Sequence, residues 1–200
     1  MDPYVYPGTN VLRNLRDIRD SEILNEFEAD ATSRRIRQLE YKPSPGALDT
    51  RHLQTIHHHI FQDVYSWAGE FRTVNISRSG QFPFAFPEQI IPSLDRLSGE
   101  LRKERYLVGA DRSKFCNRGA HYLGELNAIH PFREGNGRTQ RQFIRQLAGR
   151  NGYALDWSPV PRDQMAEASR QSFQRGDNAG LEKTLRSALG TGLNRARTDP

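Results

Sequence analysis

The residues from His130 to Arg141, HPFREGNGRTQR, hold the groups that could do chemistry in this chain. Two glycines, Gly135 and Gly137, flank Asn136 just before a run with helical spacing. Glycines there let the backbone turn sharply and aim N–H groups at one point. The start of a helix adds partial positive charge to the same point. Together they make a nest suited to phosphate. Arg138 and Arg141 stand three residues apart and so share one face of the first turn. Two guanidinium forks over such a nest point to a polyphosphate. Glu134 beside them would repel phosphate unless a divalent cation lay between, and Mg²⁺ commonly binds one carboxylate plus phosphate oxygens. His130 precedes the nest, where a neutral imidazole can take a proton from an incoming hydroxyl. Phe132 is expected to point inward and anchor the loop.

This run resembles the Fic family motif, HxFx(D/E)GNGRxxR, at each of its specified positions. The resemblance extends to Trp67-Ala68-Gly69-Glu70-Phe71-Arg72, to Ala120-His121-Tyr122 with Glu125-Leu126-Asn127, to Gly152-Tyr153, and to the lead-in Asp2-Pro3-Tyr4. It implies a mainly helical fold with one β-hairpin flap. It also implies a protein adenylyltransferase, with ATP as co-substrate and Mg²⁺ as cofactor. On that resemblance His130 is the general base and Glu134 holds Mg²⁺. Arg133, Gly135, Asn136, Gly137, Arg138 and Arg141 take the ATP phosphates, with the Asn136 side chain in the anion hole. Phe132 is the motif anchor. The flap, residues 71–86, holds the target by strand addition. Arg72, Thr73, Gln81 and Phe82 are assigned to the flap side of the adenosine pocket.

Gly137 stands where the Doc branch of the family carries a lysine, which favours AMP transfer over phosphorylation. Many Fic proteins silence themselves with a helix of pattern (S/T)xxxE(G/N). Here Glu followed by Gly or Asn occurs only at Glu134-Gly135, and His130 occupies the Ser/Thr position. The resemblance therefore implies a separate small antitoxin whose helix contacts Arg141. It further implies a bacterial cytoplasmic toxin whose targets, modified at a Tyr, Ser or Thr hydroxyl, are the GyrB protein of DNA gyrase and the ParE protein of topoisomerase IV. The alternative is an effector domain that transfers AMP or another phosphate-linked group to a host protein such as a small GTPase.

The elements that must position these groups are helical. Apolar spacing runs from about Leu12 to Glu40, with a break at Asp20-Ser21 and Ser21 as the expected N-cap. A helix capped by Asp49 or Thr50 follows, with Leu53, Ile56, Ile60, Phe61, Val64 and Tyr65 on its apolar face and Gly69 as the stop. Residues 71–86 change to short extended segments around Ser79-Gly80, the single hairpin expected. Helices return from about Glu88 to Arg105, from an Asp111 cap through Leu126, and from the motif to Gly152. Two more are expected, one with Pro161 in its first turn and one capped by Asn178. One domain covers residues 1–190, and residues 191–200 read as a loose tail.

Composition bounds the rest. The chain has 200 residues, 36% hydrophobic and 10% aromatic, which suits a folded core rather than disorder. No apolar run approaches a membrane span and no secretory signal is expected. The single Cys116 reads as a small buried residue. The net charge of +5 all follows His130, and of 29 basic residues only four are lysine. No docking motif for nucleic acid accompanies that charge, so neither nucleic acid nor membrane is an expected partner. His52, His57, His58 and His59 lack an i,i+4 His pair and read as surface or packed residues rather than a metal site. His121 and Trp67 read as packing, and Arg34, Arg35 and Arg37 as a solvated helix face. Tail arginines Arg195 and Arg197 are too few for a nucleic-acid arm.

Overall fold

Three aspartates set where helices begin. Asp20 accepts hydrogen bonds from the backbone N–H of Glu22 and Ile23 and starts α1, Ser21–Tyr41. Asp49 accepts from His52 and starts α2, Thr50–Phe61. Asp111 accepts from Lys114 and starts α4, Arg112–Ile129. Each side chain satisfies an N–H that the first helical turn leaves without an acceptor. The computed structural model describes residues 2–78 and 82–193.

The remaining elements are a hairpin of β1, Ser77–Arg78, and β2, Phe82–Pro83, then α3, Pro87–Lys103. A 3-10 turn at Arg105–Leu107 leads to α4. After α4 come α5, Asn136–Arg150, β3, Tyr153–Leu155, α6, Arg162–Arg175, α7, Ala179–Ala188, and β4, Leu189–Leu193. The expected mainly helical fold with a small hairpin is the observed one. β1 and β2 pair antiparallel, Ser77 opposite Pro83 and Arg78 opposite Phe82.

α4 is the central rod. It packs against α3, α5, α6 and α7, while α2 packs against α1, α3 and α5. Phe115, Cys116, Ala120, Tyr122, Leu123 and Leu126 of α4 are all buried. Burying each large apolar side chain contributes about 1.5–3 kcal/mol, enough across this core to hold both ends of α4 in place. Gly124 permits a close approach to α4: a Cβ there would lie 2.5 Å from Asn178 Oδ1. His130 and the motif loop therefore hang from the C-terminal end of a helix clamped on several sides.

Several local expectations are corrected. Residues 12–19 are not helical. The Asn14 carboxamide accepts from the N–H of Arg16 and Ile18 and donates to the carbonyls of Leu12 and Ile18, which diverts the backbone from helical pairing. Asp20, not Ser21, is the N-cap. α2 ends at Phe61, so Val64 and Tyr65 reach the core from turns beyond it. Pro161 sits one residue before α6, as its N-cap. Asn178 precedes α7 without a side-chain capping bond, and its Oδ1 accepts from Ser172 Oγ instead. Of the tail expected over residues 191–200, residues 191–193 belong to β4, which pairs antiparallel with β3, Tyr153 opposite Leu193, and residues 194–200 lie outside the described residues. That second strand pair joins segments some forty residues apart.

Candidate active site

His130 ends α4. Its N–H donates to the Leu126 carbonyl at 3.0 Å and its backbone turns left-handed, φ 48°. That turn throws the imidazole out of the helix direction. Nδ1 lies 3.1 Å from the Asn127 carbonyl, which can only accept, so Nδ1 carries the proton and Nε2 is the basic nitrogen. The Phe84 ring, from the flap's descending arm, stacks on the imidazole with centroids 3.8 Å apart.

The loop after His130 is clamped from inside. Phe132 is buried and stacks on the His57 ring at 3.8 Å. The Asn136 side chain accepts from Phe132 N–H at 2.9 Å and donates to Phe132 carbonyl at 2.7 Å. It is buried and committed to this clamp, so the expectation that it lines an anion hole is corrected. His57 accepts from Gly69 N–H at 2.8 Å and donates through Nε2 to the Glu134 carbonyl at 3.0 Å. Burial pushes its pKa down to about 3, so the ring is a neutral strut.

Gly135 then turns left-handed, φ 81°, with a Cβ position only 2.1 Å from the Phe61 ring. It caps α5 with no side chain. The first backbone N–H groups of α5 have no intrahelical acceptors, and Gly137 and Arg138 of that turn, at the positive end of the helix dipole, line the cleft. Gly137 lines that cleft, and a Cβ there would meet only Arg141 Nη1 at 3.3 Å.

The two motif arginines differ in their partners. Arg138 donates to Glu28 Oε1 at 2.6 Å, to Thr32 Oγ1 at 3.3 Å and to Glu134 Oε1 at 3.2 Å. Its guanidinium lies 4.7 Å from the centre of the Phe61 ring. Tyr65 holds the other Glu28 oxygen. Arg141 has no side-chain hydrogen bond or ion pair among the described residues. Burial, and then the nearby Arg138 and Arg162 charges, push its pKa down. A half-buried cation among cations, lining the cleft, is a site for an anion.

Glu134 Oε1 also accepts from Gly135 N–H at 2.8 Å, and its side chain is 42% exposed. One exposed carboxylate beside a phosphate nest fits Mg²⁺, which needs few protein ligands when phosphate supplies others. No group of three or more His, Cys, Asp or Glu that could hold a metal occurs among the described residues. His130, Arg133, Gly137, Arg138 and Arg141 open on one cleft of about 1580 Å³, walled by α1, the flap and α6.

Arg133 reaches the cleft, but its guanidinium pairs with Asp2 at 2.8 Å. That lead-in contact qualifies its assignment to phosphate. Arg72 is corrected outright. It is buried, 2% exposed, and its guanidinium points away from the cleft into backbone carbonyls. Thr73 is exposed and bonds Tyr4 Oη through its N–H at 3.2 Å, outside the cleft lining. Gln81 lies outside the described residues, and of Phe82 only the backbone is described, in β2. The structure thus gathers the motif residues and separates Arg72 and Thr73 from them.

Sequence reasoning missed Glu28, Thr32, His57, Tyr65 and Phe84. His57 was findable, because it follows Leu53 by four and precedes Ile60 and Phe61 at inward helical spacing. Glu28 carried no such sign: it meets Arg138 across 110 residues. His52 also packs inside, accepting from Leu48 N–H at 3.1 Å. Cys116 is buried as expected.

Comparison with known proteins agrees with this geometry. Residues 47–148 match the family model described as Fic/DOC family. The "Protein adenylyltransferase VbhT" of Bartonella schoenbuchensis is 42% identical over 86% of this chain, which spans 36% of that protein. The protein named "Probable protein adenylyltransferase y4lH" of Sinorhizobium fredii is 42% identical over 94% of this chain and 96% of its own length. The crystal structure of BepC, a VirB-translocated Bartonella effector with bound AMPPNP, superposes with TM-score 0.88 at 26% identity, over 94% of this chain and 96% of that one. The chain belongs to the Fic/DOC family.

Proposed function

We propose that the chain is a protein adenylyltransferase that moves AMP from ATP to a protein hydroxyl. The observation that carries this reading is the pairing of a basic His130 Nε2 with a phosphate nest on one cleft. The target oxygen attacks the α-phosphorus and its proton passes to Nε2. The bond from that phosphorus to the bridging oxygen breaks, and pyrophosphate leaves. The α5 N–H groups and Arg138 face the β-phosphate, and Arg141 takes the γ-phosphate. Catalysis rests on positioning and fixed charge. Glu134 is the residue that would hold Mg²⁺, which would neutralise phosphate charge.

The names of the Bartonella and Sinorhizobium relatives support AMP as the group transferred. Gly137 supports it too, because the nest has no side chain filling it. The proposed setting is a bacterial cytoplasmic toxin acting on the gyrase protein GyrB and on ParE. Its restraint is an antitoxin glutamate that pairs with Arg141, the motif arginine that lacks a carboxylate partner among the described residues. A second reading, a secreted effector domain acting on a host protein such as a small GTPase, is favoured by the likeness to BepC.

The test is a bacterial lysate supplied with Mg²⁺ and ATP labelled at the α- or γ-phosphate. Label transferred to protein from α alone is the expected result, and the labelled band separates gyrase or ParE from other targets. Label from γ would mean phosphorylation and would defeat the proposal. Added antitoxin that left transfer unchanged would remove the regulatory part of it.

A further inference from the structure

Arg72 stands where the flap meets the C-terminal end of α4. It is buried and has no carboxylate partner among the described residues. Its Nε donates to the His130 carbonyl at 2.8 Å and its Nη1 to the Val74 carbonyl at 2.8 Å. Its Nη2 donates to the carbonyls of Ala85 and, at 3.2 Å, Ile129. A buried charge without such partners would be strongly unfavourable. Two of these acceptors are the last carbonyls of α4, where helix ends leave acceptors open and the dipole is negative. The other two stand on opposite arms of the hairpin, before β1 and after β2.

Backbone bonds run beside it. Arg72 N–H donates to Pro131 carbonyl at 2.9 Å, and Ala85 N–H to Ala128 carbonyl at 3.3 Å. Only a planar fork with five donors reaches four carbonyls spread over three segments; an ammonium is a single point.

We propose that Arg72 is a positioning residue that latches both arms of the flap to the C-terminal end of α4. It thereby fixes the flap edge relative to His130. Flap and base then move as one body, and a target strand laid on the flap arrives in register with Nε2. This consequence for the target rests on the adenylyl-transfer reading; the latch itself does not.

The test compares wild type with Arg72→Lys and Arg72→Met by amide hydrogen exchange, AMPPNP binding and transfer kinetics. Each charge-assisted bond lost shifts opening by about ten- to a hundredfold. The expected result is a loss of protection of about tenfold or more at Phe84 and Ala85, with Ile56 and Ile60 of α2 within about twofold. The KM for the target rises by a similar factor while AMPPNP affinity stays within about twofold. Unchanged flap protection overturns the latch, as does a loss spread evenly through α2. If neither variant folds, the wild-type Arg72 Nε–H decides: a resolved, slowly exchanging signal supports the latch, and a rapidly exchanging one overturns it. Selective flap loss in a protein that transfers no label from ATP supports the latch and defeats the proposed activity instead.

Discussion

The ring of Phe84 lies face to face with the imidazole of His130, planes 12° apart and centroids 3.8 Å apart. The flap thus supplies one wall of the His130 imidazole. Phe84 in turn tilts against Phe173 of α6 at 4.7 Å, so the wall is anchored in the body of the protein.

Replacing that wall separates orientation from binding. Phe84→Leu keeps an apolar side chain but loses the flat face, whose stacking contributes about 0.5–1.5 kcal/mol. We expect kcat to fall about tenfold with ATP affinity unchanged. Steady-state kinetics and AMPPNP titration check this; a loss of nucleotide affinity without a change in kcat would contradict it.

The two motif glycines are required for different reasons. Gly135→Ala drives a Cβ into the Phe61 ring at a backbone angle that side chains resist, and we expect a loss of about 3 kcal/mol or more. Gly137→Ala meets only the tip of Arg141, so stability should change by less than about 1 kcal/mol while the nest is obstructed. Urea unfolding and ATP titration of both variants measure the contrast.

Arg138 and Arg141 should part in the same way. Arg138→Ala leaves Glu28, 13% exposed, without its cation, and we expect destabilisation of about 3 kcal/mol. Arg141→Ala removes a half-buried charge that lacks a carboxylate partner among the described residues, so stability should hold or rise. Both should weaken ATP binding. Equal stability losses would mean that Arg141 has a structural anchor.

His57 gives a pH signature. Its folded pKa lies near 3, below the ordinary 6.5, so the unfolded chain binds this proton first. Its contribution is full above pH 6.5 and is lost as pH falls toward 3, at about 1.4 kcal/mol per unit. Between pH 7 and 5 wild type should lose about 2 kcal/mol more than His57→Gln. Urea unfolding at both pH values tests this, and parallel losses would show that His57 is not the group responsible.

What the sequence revealed follows from how local each signal is. The nest, both arginines, the Asp49 and Asp111 caps and the hairpin are set by neighbours a few residues away. Glu28 against Arg138, His57 against Glu134 and β3 against β4 join distant segments, and packing alone decides them. Arg72 misled because an arginine beside a flap reads as a ligand contact; the carbonyls that take it inward belong to α4 and both hairpin arms. Asn136 misled likewise, because a side chain inside a phosphate nest can hold the loop instead of the anion. No helix is long and apolar enough to cross a membrane among the described residues.

In the proposed reaction His130 Nε2 accepts the proton of the attacking hydroxyl. This step is tested most directly by comparing wild type and His130→Ala for AMPPNP affinity and for transfer of α-label to protein. We expect equal affinity and a fall in transfer of about 10²–10⁴-fold, the usual contribution of a positioned base. Transfer by the variant at the wild-type rate would contradict it.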